Sequence, residues 1–200
     1  LIDFHLVTKW KTAGDSLLAS SLLARSDSKA ILIVGAGTVG RSLREAYGVY
    51  FPHAKFTVWN RTREKAEAMA LNDPRMKVAE SLQGAVEAAD IITCATMSTE
   101  PLIKGAWLRA GQHVDLIGAY RLDMREVDDD ALRRAKIFVD SYDTTLDHIG
   151  EIKLPLEKGP ISHSDIIADY YEIGAFQRRC SNEITLFKNG GGAHLDLMVS

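Results

Sequence analysis

AILIVGAGTVG occupies residues 30–40. Its four consecutive apolar residues, Ile31, Leu32, Ile33 and Val34, predict a strand buried on both faces. Gly35, Gly37 and Gly40 follow in G-x-G-x-x-G spacing, and residues 41–50 predict a helix. In a strand–turn–helix of this kind the first glycine permits the tight turn. The second lets a pyrophosphate approach the backbone, and the third lets the helix pack close to the strand. Phosphates would rest on the free N–H groups at the positive end of the helix. The spacing alone is a weak signal. Its place between a strand and a helix, with a second strand predicted at 55–59, makes it a dinucleotide site.

Outward from this stretch, strands and helices alternate. Upstream, Leu17, Leu18, Leu22 and Leu23 define one face of a helix over 11–25, and residues 1–4 read as the tail of a strand. Downstream, Thr62 is placed to cap a helix over 63–71, which Asn72, Asp73 and Pro74 end. A third strand is predicted at 76–79, a helix at 82–89, a fourth strand at 91–95 and a loop with one helical turn at 101–108. A fifth strand at 113–117, a helix at 128–135 and a sixth strand at 137–140 follow. This alternation predicts an α/β fold, a Rossmann-type doubly wound parallel sheet with strand order 3-2-1-4-5-6 and right-handed crossovers. Beyond residue 142 the rhythm loosens. A helical turn is expected at 144–149. Pro155 and Pro160 predict a loop over 152–161. Ser164 would cap a helix over 165–173 that Gly174 ends, and a last strand is read at 183–187. After the turn at 189–192, residues 193–199 start a helix.

Composition narrows the class. A 46% hydrophobic share supports a full core, and a net charge of −3 carries no basic footprint for nucleic acid. The apolar stretch at 16–24 is too short and too interrupted for a membrane span or a signal peptide. Two cysteines, Cys94 and Cys180, do not make a disulfide framework and point to a reducing, cytoplasmic setting. The chain begins at Leu1 and reaches Ser200 inside a predicted helix, so both ends read as cuts within a longer protein. A dinucleotide-binding domain is expected at 26–189, flanked by a helix-bearing segment at 1–25 and the start of a helix at 190–200.

The end of the second predicted strand addresses the choice of nucleotide. NAD-binding versions of this fold place an acidic residue there for the ribose hydroxyls. Here the residue is Asn60, followed by Arg61 and Thr62, with Lys65 one turn into the next helix. No carboxylate repels a 2′-phosphate, and a guanidinium is placed to pair with one. NADP(H) is therefore favoured over NAD(H). The other reading of Arg61 and Lys65 is a solvated basic face.

Several segments also occur together in a known order: WKTAGDSLLASSLLAR (10–25), VGAGTVG (34–40), VWNRT (58–62), DMREVDDD (123–130), VDS (139–141) and EITLFKNGGGAHLD (183–196). With them the chain resembles the ornithine cyclodeaminase/mu-crystallin family over nearly all of its length. The resemblance implies hydride transfer between a nicotinamide and the α-carbon of an amino or imino acid, and a homodimer in the full-length protein. It also implies that 1–25 is a remnant of a substrate and dimerisation domain with a linking helix, and that the helix starting at 190–200 returns toward that domain. It implies that Ala36, Thr38, Val39, Asn60, Arg61, Thr62 and Lys65 face the phosphates and the adenosine end. Thr96, Met97 and Ile117 would lie near the nicotinamide, and Asn189 stands where the family usually has a cofactor-touching serine.

Two positions depart from the family pattern. Lys11 stands where an arginine usually clamps the substrate carboxylate; it keeps the charge but loses the fork, and it also reads as a plain surface lysine. Tyr120 takes the place of the aspartate that handles the substrate amino group in ornithine cyclodeaminases. This points to the reductase and mu-crystallin branch. His148, where relatives often have a glutamate near the substrate, reads either as a proton donor to an imine-derived nitrogen or as a surface histidine. Cys94 reads as a core residue. Asp128, Asp129 and Asp130 read as a helix start, so no metal site is expected. The resulting expectation is an NADPH-dependent reductase of a cyclic imino acid of the Δ1-pyrroline-2-carboxylate or ketimine type. The alternatives are an ornithine cyclodeaminase, an alanine-dehydrogenase-like enzyme, and a non-catalytic protein that binds NADPH and a small ligand. No nucleic acid or membrane partner is expected.

Overall fold

Ile31, Leu32, Ile33 and Val34 are buried, as their pattern predicts, and lie within an eight-stranded sheet whose strands all run parallel. The structure is a computed structural model and describes residues 4–191, with side chains from Trp10 onward. In chain order the elements are α1 (Phe4–Leu23), β1 (Ala30–Val34), α2 (Thr38–Tyr50), β2 (Lys55–Trp59), α3 (Arg63–Ala70), β3 (Met76–Val78), α4 (Leu82–Ala88), β4 (Ile91–Cys94), β5 (His113–Leu116), α5 (Asp129–Arg134), β6 (Ala135–Val139), α6 (Tyr142–Thr145), α7 (Gly150–Lys158), β7 (Ile166–Ala168) and β8 (Ile184–Lys188).

Apolar side chains cover both faces of the sheet. On one face, Ile31, Ile33, Phe56 and Val58 meet Ala13 of α1, Leu43 and Tyr47 of α2, and Ala66 and Met69 of α3. On the other, Leu32, Val34, Ile92 and Leu116 meet Val86 of α4, Leu132 of α5 and Ile152 of α7. The fold is thus the expected doubly wound α/β Rossmann type. No helix among the described residues is long and apolar enough to cross a membrane.

The strand order is β3-β2-β1-β4-β5-β8-β6-β7, which corrects the expected 3-2-1-4-5-6 beyond β5. The last strand inserts between β5 and β6. All five residues of ITLFK are buried there, a demand that a place between two neighbours meets and an edge would not. Two further expectations fail. Residues 152–161 are not a loop, because α7 carries Pro155 within it and buries Gly150, Glu151, Ile152 and Pro155 on one side. It ends instead at Gly159, in the left-handed conformation (φ 89°) with its N–H on the Pro155 carbonyl. Residues 165–173 are not a helix. Ile166–Ala168 pairs with β6 as an edge strand, as its β-branched residues favour. A 3-10 turn at Tyr170–Ala175 follows.

At the N-terminal side, Phe4 is helical and not the end of a strand; residues 1–3 and the helix expected at 193–199 lie outside the described residues. Thr62 holds the N-cap position of α3, but its side chain makes no capping bond. Asp128 does cap α5, accepting the Ala131 N–H at 2.9 Å. No group of three or more His, Cys, Asp or Glu is placed to hold a metal among the described residues.

Candidate functional site

The C-terminal ends of β1, β2, β4, β5 and β8 bring most of the predicted site residues to one side of the sheet. At its middle is the glycine turn. Gly35 has φ +112°, donates its N–H to the Trp59 carbonyl at 2.8 Å, and would carry a Cβ only 2.6 Å from the Ala95 carbonyl oxygen. A Cβ on Gly40 would collide with the Gly35 carbonyl, so α2 sits directly against the turn. Gly37 differs: an added Cβ would meet nothing within 4 Å. It is the N-cap of α2 and supplies no side chain there. Thr38 beside it is exposed, and Val39 is half-buried. The space over this helix start is open, and the first N–H groups of a 13-residue helix face it.

Asn60 braces that turn. Its Oδ1 accepts the Ala36 N–H at 3.1 Å, and its Nδ2 donates to the Thr62 carbonyl at 2.9 Å. Both ends of the amide are thereby committed to protein. Arg61 and Lys65 are exposed and make no ion pair among the described residues. The charge at this end of the site is theirs.

On the other side of the turn lie the loops after β4 and β5. Thr96 and Ile117 are half-buried, whereas Met97 is 73% exposed. Thr96 does not point freely outward. Its N–H and its hydroxyl both donate to Glu126 Oε1, at 2.8 and 2.9 Å. Cys94 is a fully buried core residue, its thiol pushed up by burial and by the Glu126 charge, and is no nucleophile. Tyr120 is 56% exposed on the loop after β5. His148 is exposed in the turn after α6; that turn joins the same loop through the Gly150 N–H on the Arg121 carbonyl at 3.1 Å.

Beside β5 and β8, α1 lays buried polar groups against the sheet. Lys11 is mostly buried, one turn before Asp15. Asp15 faces Tyr170 and Asn189; burial first, and the charge of Asp140 second, hold its carboxyl well above the usual range. Asn189 is buried, with its N–H on the Leu116 carbonyl at 3.0 Å and its Oδ1 accepting the Gly191 N–H at 2.8 Å. It therefore shapes the turn after β8 as well as facing the site.

Like Asp15, several other buried charged residues here were not singled out by the sequence. Glu126 and Glu151 hold loop backbone, Asp115 accepts from Tyr47 of α2 and Thr93 of β4, and Lys188 donates to the Leu116 carbonyl at 3.1 Å. For Lys188 a signal existed: a lysine closing the run ITLFK, which is otherwise apolar or β-branched. Burial, with the Glu126 charge second, pushes Glu151 up to about 7.

Comparison with known proteins agrees with this geometry. The chain is 48% identical over 208 residues to a Δ1-pyrroline-2-carboxylate reductase of Paracoccus denitrificans, covering 100% of this chain and 66% of that protein. It is 36% identical over 203 residues to ketimine reductase mu-crystallin of Mus musculus, with 100% and 62% covered. The solved structure of Thermococcus litoralis Δ1-pyrroline-2-carboxylate reductase in complex with NADH and L-proline superimposes with a TM-score of 0.89 at 33% identity, covering 96% of this chain and 62% of that one. The chain thus spans 62–66% of the length of these relatives. Residues 1–199 match the model of the ornithine cyclodeaminase/mu-crystallin family, and the chain belongs to that family.

Proposed function

We propose that the complete protein reduces a cyclic imino acid of the Δ1-pyrroline-2-carboxylate or ketimine type to the amino acid, using NADPH in preference to NADH. One observation carries the reading: over all of its length the chain is 48% identical to a protein named for this reaction. The residues present fit a dinucleotide. The open space at Gly37 and the uncapped start of α2 suit a pyrophosphate, and Arg61 and Lys65 suit a 2′-phosphate.

In this reading Gly35, Ala36, Gly37, Thr38, Val39 and Gly40 hold the pyrophosphate. The Ala36 N–H is already given to Asn60, so Ala36 contributes shape and not a donor. Asn60 and Thr62 set the edge of the adenosine end. Thr96, Met97, Ile117 and Asn189 border the nicotinamide half. A nicotinamide bound there supplies a hydride to the imine carbon. Lys11 holds the substrate carboxylate as a point charge, and His148 donates a proton toward the imine-derived nitrogen. Tyr120 replaces an acidic group that cyclodeamination of ornithine would use. Both cysteines are free, which supports a reducing, cytoplasmic setting. A homodimer is the expected state of the full-length protein.

The test is turnover by the full-length protein. NADPH oxidation with Δ1-pyrroline-2-carboxylate, several-fold faster than with NADH, is expected. Ammonia release from ornithine without net cofactor change would overturn the reading in favour of a cyclodeaminase. Tight NADPH binding without turnover on any cyclic imine would favour a binding protein.

A further inference from the structure

The loops leaving β4 and β5 meet on one buried side chain. Glu126 is 0% exposed and takes four donors. The Thr96 N–H and hydroxyl reach Oε1 at 2.8 and 2.9 Å; the Gly118 and Ala119 N–H groups reach Oε2 at 2.8 and 3.2 Å. The contact is close enough to require glycine at 118, where a Cβ would collide with the Thr96 backbone and lie 2.6 Å from Glu126 Oε1. Glu126 is itself held from the other side. Its N–H donates to Glu151 Oε2 at 2.6 Å, the Val127 N–H donates to Glu151 Oε1 at 3.2 Å, and the Glu126 carbonyl accepts the Leu102 and Ile103 N–H groups, each at 3.0 Å.

We infer that Glu126 is a positioning residue, whose carboxylate fixes the β4 and β5 loops against each other and so shapes the nicotinamide half of the site. This rests on the dinucleotide reading above. An ionised carboxylate is acceptor-only, with about four lone-pair sites, and four donors fill it. No other side chain of similar length offers that set. Glutamine would turn an N–H₂ toward two of the donors, and the loops would separate. The glycine turn and Asn60 are not bonded to Glu126. The adenosine and phosphate half should therefore not sense the change.

The experiment titrates NADPH, and separately 2′-phospho-ADP-ribose, which lacks the nicotinamide. Both are measured by calorimetry against the wild-type protein, Glu126→Gln and Thr96→Val, beside thermal unfolding of each. The wild type should bind NADPH more tightly than the fragment. Glu126→Gln should lose at least about tenfold in NADPH affinity, the scale of hydrogen bonds to a charged group, and leave fragment affinity unchanged. Thr96→Val, which removes one donor of four, should fall between. Equal losses for both ligands, or no loss for either, would overturn the positioning role while leaving the cofactor reading standing. If the wild type bound neither ligand, the cofactor reading would fail and this inference with it. Should Glu126→Gln not fold, Glu126→Asp, which keeps the charge but shortens the reach to the two loops, decides by the same comparison.

Discussion

The Tyr47 hydroxyl donates to Asp115 Oδ2 at 3.1 Å, so α2 is tied to β5 through a carboxylate in the middle of the core. Thr93 of β4 donates to the same oxygen at 2.8 Å, Ser16 of α1 faces it, and the Lys188 charge lies near. Burial outweighs these, and the Asp115 carboxyl is pushed up to about 7. The folded protein thus binds this proton more tightly than the unfolded chain does. The stability it contributes is complete below about pH 4 and lost as pH rises through about 7. Glu151, also at about 7, acts in the same direction. Asp73 and Asp90, held low by partners, act oppositely at more acid pH. His113, which burial pushes down to about 3, also acts oppositely, up to about pH 6.5, and the two raised carboxyls together outweigh it. Denaturant unfolding should therefore show stability falling between about pH 5 and about pH 7.5. Asp115→Asn should flatten that slope. An unchanged slope would show that Asp115 titrates normally.

The three glycines of the turn make a second, internally controlled prediction. Gly37 has φ −83° and ψ −168°, which any residue can adopt, and open space around it. Gly37→Ala should cost only about 0.5–1.5 kcal/mol, the preference of an N-cap for glycine over alanine, and lower dinucleotide affinity at least about tenfold, because the methyl stands where the proposed pyrophosphate would approach. Gly40→Ala should unfold at clearly lower denaturant, since its methyl meets the Gly35 carbonyl. Full cofactor affinity in Gly37→Ala would place the phosphates elsewhere.

The contrast between these glycines explains what could be read from the sequence. A strand–turn–helix is a local pattern, and Ile31–Val34 with Gly35, Gly37 and Gly40 carries its geometry in adjacent residues. The place of β8 does not. Which strand lies beside β5 is decided by pairing between residues about 70 apart, such as His113 with Thr185, and no local signal encodes it. At α7, Pro155 was a misleading local cue, because burial of Glu151 and Ile152 overrode it. Glu126 and Glu151 were hidden for another reason. Their partners are mainly backbone N–H groups, which every residue but proline offers, so no complementary side chain marks them in the sequence.

Lys11 carries the substrate side of the proposal. It is mostly buried on α1, at the position where the family resemblance implies a carboxylate clamp. In the complete enzyme, Lys11→Ala should raise KM for the imino acid at least about tenfold, the scale of a lost charge-assisted contact, with NADPH affinity unchanged. Lys11→Arg should recover most of the loss, because charge is kept and a fork is added. Equal kinetics for wild type and Lys11→Ala would return Lys11 to a packing role.

The proposed preference for NADPH turns on Arg61. The Asn60 amide is spent on Ala36 and Thr62, so it has little left with which to discriminate a ribose hydroxyl from a phosphate. Arg61 and Lys65 are exposed beside it, and neither is paired with a carboxylate among the described residues. A guanidinium meeting a dianionic phosphate in bidentate fashion contributes about 1.5–3 kcal/mol, or roughly 10- to 150-fold in affinity. Arg61→Ala should lose that much for NADPH and almost nothing for NADH, and the NADPH loss should shrink as salt screens the remaining charge. Titrating both cofactors against both proteins at low and moderate ionic strength gives the answer. Equal losses for NADH and NADPH would mean that Arg61 supports the loop after β2 and does not read the 2′-phosphate.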